Sequence, residues 1–159
     1  MMNSHEQMMC EMQADFFALS RDSFLCGSSF FISRFMNSEL AKDLDNIDDP
    51  YNYISPNNSI KIMRESFPSL NLKEGDKYSI EVLKWIGYIY RAWAIIKKKS
   101  SSSLYKSFKS NQLLPLFDSF HTFSIEYCID RLEELINEQK GNQLSDYEIY
   151  KAIKENRSV

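Results

Sequence analysis

The chain has 159 residues, of which 43% are hydrophobic and 26% are charged. This length suggests one domain, and the apolar content excludes a fully disordered protein. The net charge of -3 gives no general reason to expect binding to nucleic acid or to a membrane. Only four glycines and four prolines are present, which argues against a turn-rich β-sandwich or β-barrel.

The N-terminal part of the chain predicts short amphipathic helices followed by a loop. Ser4 and Gln7 fit a capping box, and the apolar spacing after them predicts a helix over about residues 5–20. Two shorter helices follow, one around Phe30 to Phe35 and one around Leu40 to Leu44. Residues 45–58 are rich in Pro, Asp and Asn, which predicts a loop.

That loop suggests a domain boundary. We expect an N-terminal helical arm over residues 1–45 and a helical bundle domain over residues 56–159. A single domain over residues 1–159 is the alternative.

The strongest predicted element is a helix over about residues 79–98. Ser79 is its expected N-cap, and the lysines at its end suit the negative pole of the helix dipole. Apolar and aromatic side chains cover most of its circumference, which is typical of the central helix of a bundle. Gly87 in its middle indicates close approach by a neighbouring helix.

The rest of the chain also predicts helices. A short helix over 59–67 comes before the central helix, and Pro68 ends it. Two more short helices follow the serine turn at 100–103, and a longer one runs from Ser124 to an expected stop at Gly141. Ser145 and Glu148 then fit a capping box for a last helix. We therefore expect an all-α, compact bundle of six to eight helices around the central helix.

The sequence offers little for catalysis or ligand binding. The cysteines at 10, 26 and 128 are odd in number and widely spaced, so they predict neither a disulfide framework nor a metal site. No glycine-rich nucleotide loop is present. His121, close to Asp118, is the one candidate general base, but a histidine bonded to a loop carbonyl is favoured. We expect no enzyme activity, no cofactor and no metal.

The expected location is the cytoplasm, without membrane contact. The N-terminus has no basic start followed by an apolar run, so it does not predict a signal peptide. The longest apolar stretch, residues 86–96, is interrupted by Arg91 and is far shorter than a membrane span requires. The free thiols suit a reducing compartment.

Two groups of residues are candidates for contact with a partner protein. A narrow polar stripe on the central helix carries Lys84, Tyr88 and Arg91, and Arg and Tyr are common anchors of protein interfaces. Acidic side chains cluster in the loop at positions Asp45, Asp48 and Asp49. They belong to a segment, residues 1–55, whose net charge is -6.

An alternative function is a DNA- or RNA-binding regulator. Residues 56–113 carry a net charge of +7, and a local basic patch includes Lys97, Lys98, Lys99, Lys106 and Lys109. Tyr105 and Phe108 lie among these lysines and could stack on bases. A solvated helix end is favoured over nucleic-acid binding, because the chain as a whole is acidic.

One long block of the chain resembles a known group of proteins. The segment KYSIEVLKWIGYIYRAWAIIKKKSSSSLYKSF is followed by LLPLFDSFHTF and IEYCIDRLEELI. This order is similar to that of small bacterial all-helical proteins, of unassigned biochemistry, that are encoded beside predicted ADP-ribosyltransferase-like toxins. The resemblance covers about residues 30–139, and its matching positions are Tyr105, Phe108, His121, Thr122, Ile129 and Leu132.

The resemblance implies an antitoxin-like protein that binds a toxin and brings no catalytic residues. The expected mechanism is occlusion, in which a helix face and a mobile N-terminal arm cover the active cleft of the toxin. An acidic arm would suit a cleft that normally holds a negatively charged nucleotide. A homodimer is also considered, because Met8, Met12 and Phe16 would favour one if they were exposed.

Overall fold

A computed structural model describes residues 2–46 and 53–157, and these residues form helices without any β-strand. The α-helices among them are α1 Ser4–Ser23, α2 Ser28–Met36, α3 Glu39–Asp45, α4 Pro56–Ser66, α5 Ile80–Lys97, α6 Ser101–Ser107, α7 Ser110–Leu113, α8 Phe117–Phe120 and α9 Ile125–Arg157. Two 3-10 turns cover Pro68–Asn71 and Leu114–Leu116. Seven of the described helices have at least seven residues, so the expectation of an all-α fold with six to eight helices is confirmed.

Residues 1–125 form one compact unit, and residues 126–159 form a second. In the first unit, α1 and α5 lie side by side and antiparallel. The Arg21 side chain reaches the carbonyl of Tyr78 at the start of α5, whereas Gln13 reaches the carbonyl of Gly87. Side chains on most sides of α5 are buried, among them Trp93, and this burial confirms the central position predicted for the helix.

The prediction that residues 1–45 form a separate N-terminal arm is wrong, because α1 belongs to the core of the first unit. Phe16 and Phe17 are completely buried, and a Cβ atom on Gly87 would lie only 2.7 Å from the Gln13 carbonyl oxygen. The predicted close approach at Gly87 is therefore confirmed. The apolar face of α1 must be covered, and the apolar surface of α5 provides the cover.

The same packing removes most of the predicted dimer surface on α1. Met12 and Phe16 are buried inside the unit, and only Met8, at 41% exposure, remains accessible. Phe16 and Phe17 contact Phe31 and Phe35 of α2 through edge-to-face ring pairs, with centroids 5.0 to 5.6 Å apart. This arrangement suits the ring quadrupoles and fixes α2 against α1.

Serine side chains begin several helices of the first unit. Ser38, Ser55, Ser79 and Ser100 each accept a hydrogen bond from a backbone amide in the first turn that follows. The predicted cap at Ser79 is thus confirmed, and the serine run at 100–103 is the start of α6. The first cap is shifted by one residue, since Asn3 and Glu6 form the capping box of α1.

The second unit consists of nearly all of α9, which continues past Gly141 and Ser145. The predicted stop at Gly141 and the separate last helix are therefore wrong. A glycine stop requires a left-handed conformation, and no described glycine has a positive φ. The early turns of α9 bury Cys128, Ile129, Leu132 and Ile136. All described side chains from residue 137 to 155 are exposed.

Candidate functional site

A buried polar network surrounds Arg91, whose side chain is 0% exposed. Its Nη1 atom lies 2.7 Å from Oδ1 of Asp45, and its Nε atom donates to Oε1 of Gln13 at 2.9 Å. Nη2 donates to Oγ of Ser101 at 3.2 Å. Because its own side chain is completely buried, Arg91 has no surface to offer to a partner.

Asp45 is part of the same network, but its side chain is 17% exposed. Its carboxylate also accepts hydrogen bonds from the backbone amide and the hydroxyl of Ser101, at 2.9 and 2.6 Å. Arg91 was expected to contact a partner protein, and its complete burial contradicts that expectation. The same expectation for Asp45 stays a prediction, although its carboxylate is bonded within this network. The polar stripe does not face solvent along all of α5, because Arg91 lies where α1, α3 and α6 converge on that helix.

Gln13 also belongs to this network, and its role was not predicted from the sequence. It is completely buried on α1, where it accepts from Arg91 and donates through Nε2 to the Gly87 carbonyl at 2.9 Å. A signal was available, because Gln13 interrupts the otherwise apolar face formed by Met9, Met12, Phe16 and Phe17. A polar side chain on such a face requires a buried hydrogen-bond partner.

Lys84 keeps its predicted place on the surface and borders a groove between α1 and α5. The groove has a volume of about 550 Å³, and we call it the α1–α5 groove. Its lining is formed by Asp15, Ala18, Leu19, Asp22, Ser23, Pro56, Asn57, Ile80 and Lys84. Leu19 and Ile80 are 39% and 45% exposed there.

Tyr88, one turn further along α5, is half-buried. Asp48 and Asp49 lie outside the described residues.

The lysines of the alternative nucleic-acid site are all exposed, namely Lys97, Lys98, Lys99, Lys106 and Lys109. Lys98 ends α5 in a left-handed conformation, with φ of 52°. Lys98 and Lys99 also border a depression of about 420 Å³ beside the Arg91 network. These lysines therefore provide the accessible positive charge that DNA or RNA binding requires.

His121 is exposed and is held by its own turn. Its Nδ1 atom lies 2.7 Å from the carbonyl oxygen of Phe117, and the two rings stack with centroids 4.5 Å apart. The histidine thus bonds a backbone carbonyl close to it in the chain, as the favoured interpretation expects, but this carbonyl belongs to the first residue of α8 and not to a loop.

The three cysteines are buried and form no disulfide. Burial raises the pKa of the Cys10 thiol from 9.0 to about 12, although the positive charge of Arg91 acts in the opposite direction. A protonated, buried thiol is a poor nucleophile. Within residues 2–46 and 53–157, no cluster of three or more His, Cys, Asp or Glu side chains could hold a metal ion.

A second surface depression, of about 770 Å³, was not predicted from the sequence. It lies where the chain before α2 meets the chain before α5, and Phe30, Val82 and Leu114 supply its apolar lining. The two segments touch through Gly27 and Gly75, where a Cβ atom on Gly27 would lie 2.9 Å from the Asp76 carbonyl oxygen. The only sequence signal for this contact is the pair of glycines itself.

Comparison with known proteins gives no relative: no family model, no curated protein and no solved structure matches the chain. None of the helices in the described part of the chain has the length and apolar character required to cross a membrane.

Proposed function

We propose that the protein is a non-catalytic protein-binding module that acts as an antitoxin, covering the active cleft of a toxin with its α1–α5 groove. The observation that carries this proposal is the composition of the groove. Two partly exposed apolar side chains, Leu19 and Ile80, lie among carboxylates of α1 and the ammonium group of Lys84. An apolar centre within a charged rim is the usual composition of a protein interface.

The walls of the groove are packed against each other, which favours binding. Its two main walls are α1 and α5, whose backbones approach closely at Gly87 and whose inner faces are buried. A surface fixed before binding loses little conformational entropy when a partner docks. Leu19 and Ile80 can then act as anchors, because burial of an exposed aliphatic side chain is favourable without further ordering of the backbone.

The choice of a toxin as partner depends on the resemblance described above. A cleft that binds a negatively charged nucleotide carries positive potential, and Asp15 and Asp22 of the groove carry the opposite sign. Charge complementarity of this kind accelerates association and selects among partners. Occlusion would then use the packed face of α1 and α5, and not a mobile arm.

The proposal is tested by co-expression with the product of the adjacent gene, which the proposal requires to be a toxin. We expect a complex that survives co-purification and relieves toxicity, and both effects should be lost in Ile80→Asp and in the double variant Asp15→Lys with Asp22→Lys. Leu72→Asp and Asp43→Lys are matched controls, because both residues are exposed and lie outside the groove. Absence of a complex together with unrelieved toxicity would exclude the proposal.

The exposed lysines support the second candidate, a DNA- or RNA-binding regulator. Binding to mixed nucleic acid at low salt should weaken steeply as salt is added, because phosphate contacts release counterions. A triple change of Lys97, Lys98 and Lys99 to alanine should abolish this binding and leave the toxin complex intact. If wild-type protein shifts no nucleic acid at low salt, this candidate is eliminated.

A further inference from the structure

The distal part of α9 carries an exposed ridge with opposite charges at its two ends. Asp146, Tyr150 and Lys154 follow one another at intervals of four residues, so their side chains form one row on the helix surface. Tyr147, Ile149 and Ile153 flank this row, with exposed fractions of 62%, 57% and 49%. The row and its flanks therefore expose large apolar side chains to water. All other described side chains of α9 from residue 137 to 155 are exposed as well.

The charges of this ridge, the row Asp146, Tyr150 and Lys154, are complementary to those of a second copy that runs in the opposite direction. When a second copy of the ridge is laid antiparallel on the first, with the two Tyr150 residues facing each other, Asp146 of one copy comes opposite Lys154 of the other. Tyr147 then comes opposite Ile153. A parallel arrangement would instead place acid against acid and lysine against lysine, which is destabilising.

We propose that the distal part of α9 is a self-association surface, and that its occupant is the same ridge of a second copy in antiparallel orientation. Tyr147, Tyr150, Lys151 and Lys154 border a shallow depression of about 360 Å³ that can receive a side chain of the second copy. Pairing would cover the apolar side chains and support a helix whose described side chains from residue 137 to 155 are all exposed. This surface shares no residue with the α1–α5 groove, so the inference is independent of the toxin proposal.

The first test is sedimentation velocity of the full chain over protein concentrations from about 1 to 500 µM, a range that covers a weak helix-pair dimer. The wild type should pass from monomer to dimer with rising concentration. Ile153→Asp should remain monomeric, whereas Leu72→Asp, which replaces an equally apolar and more exposed residue of the first unit, should dimerise like the wild type. A wild type that stays monomeric throughout, or a dimer lost equally in both variants, would overturn the inference.

The second test uses charge exchange and depends on the antiparallel orientation. Asp146→Lys and Lys154→Asp should each raise the dimer dissociation constant by roughly tenfold or more, since each creates two like-charge contacts. The double variant should recover wild-type dimerisation. An equimolar mixture of the two single variants should form a heterodimer, because each lysine then faces an aspartate. Circular dichroism checks that every variant keeps its helix content. Failure of both the double variant and the mixture to dimerise contradicts the proposed pairing.

Discussion

The Nη1 atom of Arg91 lies 2.7 Å from Oδ1 of Asp45, and this ion pair connects the central helix α5 to the end of α3. The same carboxylate accepts from the backbone amide of Ser101, so it also fixes the start of α6. One aspartate thus holds three helices together around a buried positive charge. A charge in such a position is tolerated only while it remains paired and hydrogen-bonded.

Replacement of Asp45 by alanine should therefore destabilise the fold strongly. The guanidinium of Arg91 would stay buried without its counter-ion, and loss of one partner of a buried ion pair costs about 3–5 kcal/mol. We expect a decrease of that size in the free energy of unfolding, measured by urea denaturation followed through tryptophan fluorescence.

The control for this change is Asp43→Ala, which removes an exposed carboxylate from the same helix and should alter stability by less than about 0.5 kcal/mol. The double variant Asp45→Ala with Arg91→Met should be more stable than Asp45→Ala alone, because it removes the buried charge as well. Equal losses in Asp43→Ala and Asp45→Ala would show that the pair contributes nothing.

The two glycines inside helices should respond to alanine in opposite directions. A Cβ atom on Gly87 would lie 2.7 Å from the Gln13 carbonyl oxygen and 3.0 Å from Cγ of Phe17, so Gly87→Ala should destabilise the first unit by about 1–3 kcal/mol. Gly141→Ala meets no atom within 4 Å and should stabilise α9 by up to about 1 kcal/mol. Thermal unfolding monitored by circular dichroism distinguishes these outcomes. A stabilised Gly87→Ala variant would contradict the close approach of α1 and α5.

Local signals in the sequence were sufficient for most of the helices. Ser79 and the apolar surface that follows it predict α5 because the cap and the periodicity are properties of neighbouring residues. Gly87 even predicts the approach of another helix, since an interior glycine is unfavourable unless it makes space. The capping box at Ser145 and Glu148 gave a wrong prediction, because a local motif does not show whether a helix has already begun. Here the helix begins at Ile125.

The candidate site was harder to predict because it depends on which helices meet. Lys84 and Arg91 lie on the same polar stripe of α5, but only Lys84 borders the solvent. No property of α5 alone reveals that α3 and α6 cover Arg91, since that contact spans 46 positions of the chain to Asp45. The α1–α5 groove is likewise formed by side chains from distant segments, and no spacing rule relates Leu19 to Ile80.

The Cys10 thiol should make stability depend on alkaline pH. Its pKa is 9.0 in an unfolded chain and about 12 in the fold, because burial disfavours the thiolate. Below pH 9 the thiol is protonated in both the folded and the unfolded state, so it does not make the free energy of unfolding depend on pH. Between pH 9 and 12 the unfolded chain loses the proton and the folded chain keeps it, so the free energy of unfolding falls by about 1.4 kcal/mol for each pH unit.

The measurement compares wild type with Cys10→Ala at each pH, so that all other titrating groups cancel. The stability advantage of the wild type should decrease by about 2–3 kcal/mol between pH 8 and pH 11, as judged by urea denaturation. A constant difference over this range would show that the thiol is as accessible to water in the fold as in the unfolded chain.

The hydroxyl of Tyr90 joins the central helix to the end of α6. It donates to the carbonyl oxygen of Phe108 at 2.6 Å, and burial raises the pKa of this phenol well above 10.0. Tyr90→Phe keeps the ring and removes the donor from a buried carbonyl, which should reduce the free energy of unfolding at pH 7 by about 1–3 kcal/mol. Urea denaturation followed by the fluorescence of the buried Trp93 reports the loss. Tyr53→Phe, at an exposed position, should change stability by less than about 0.5 kcal/mol. If both variants unfold at the same urea concentration as the wild type, the Tyr90 hydrogen bond does not stabilise the fold, and the end of α6 must be held by apolar packing alone.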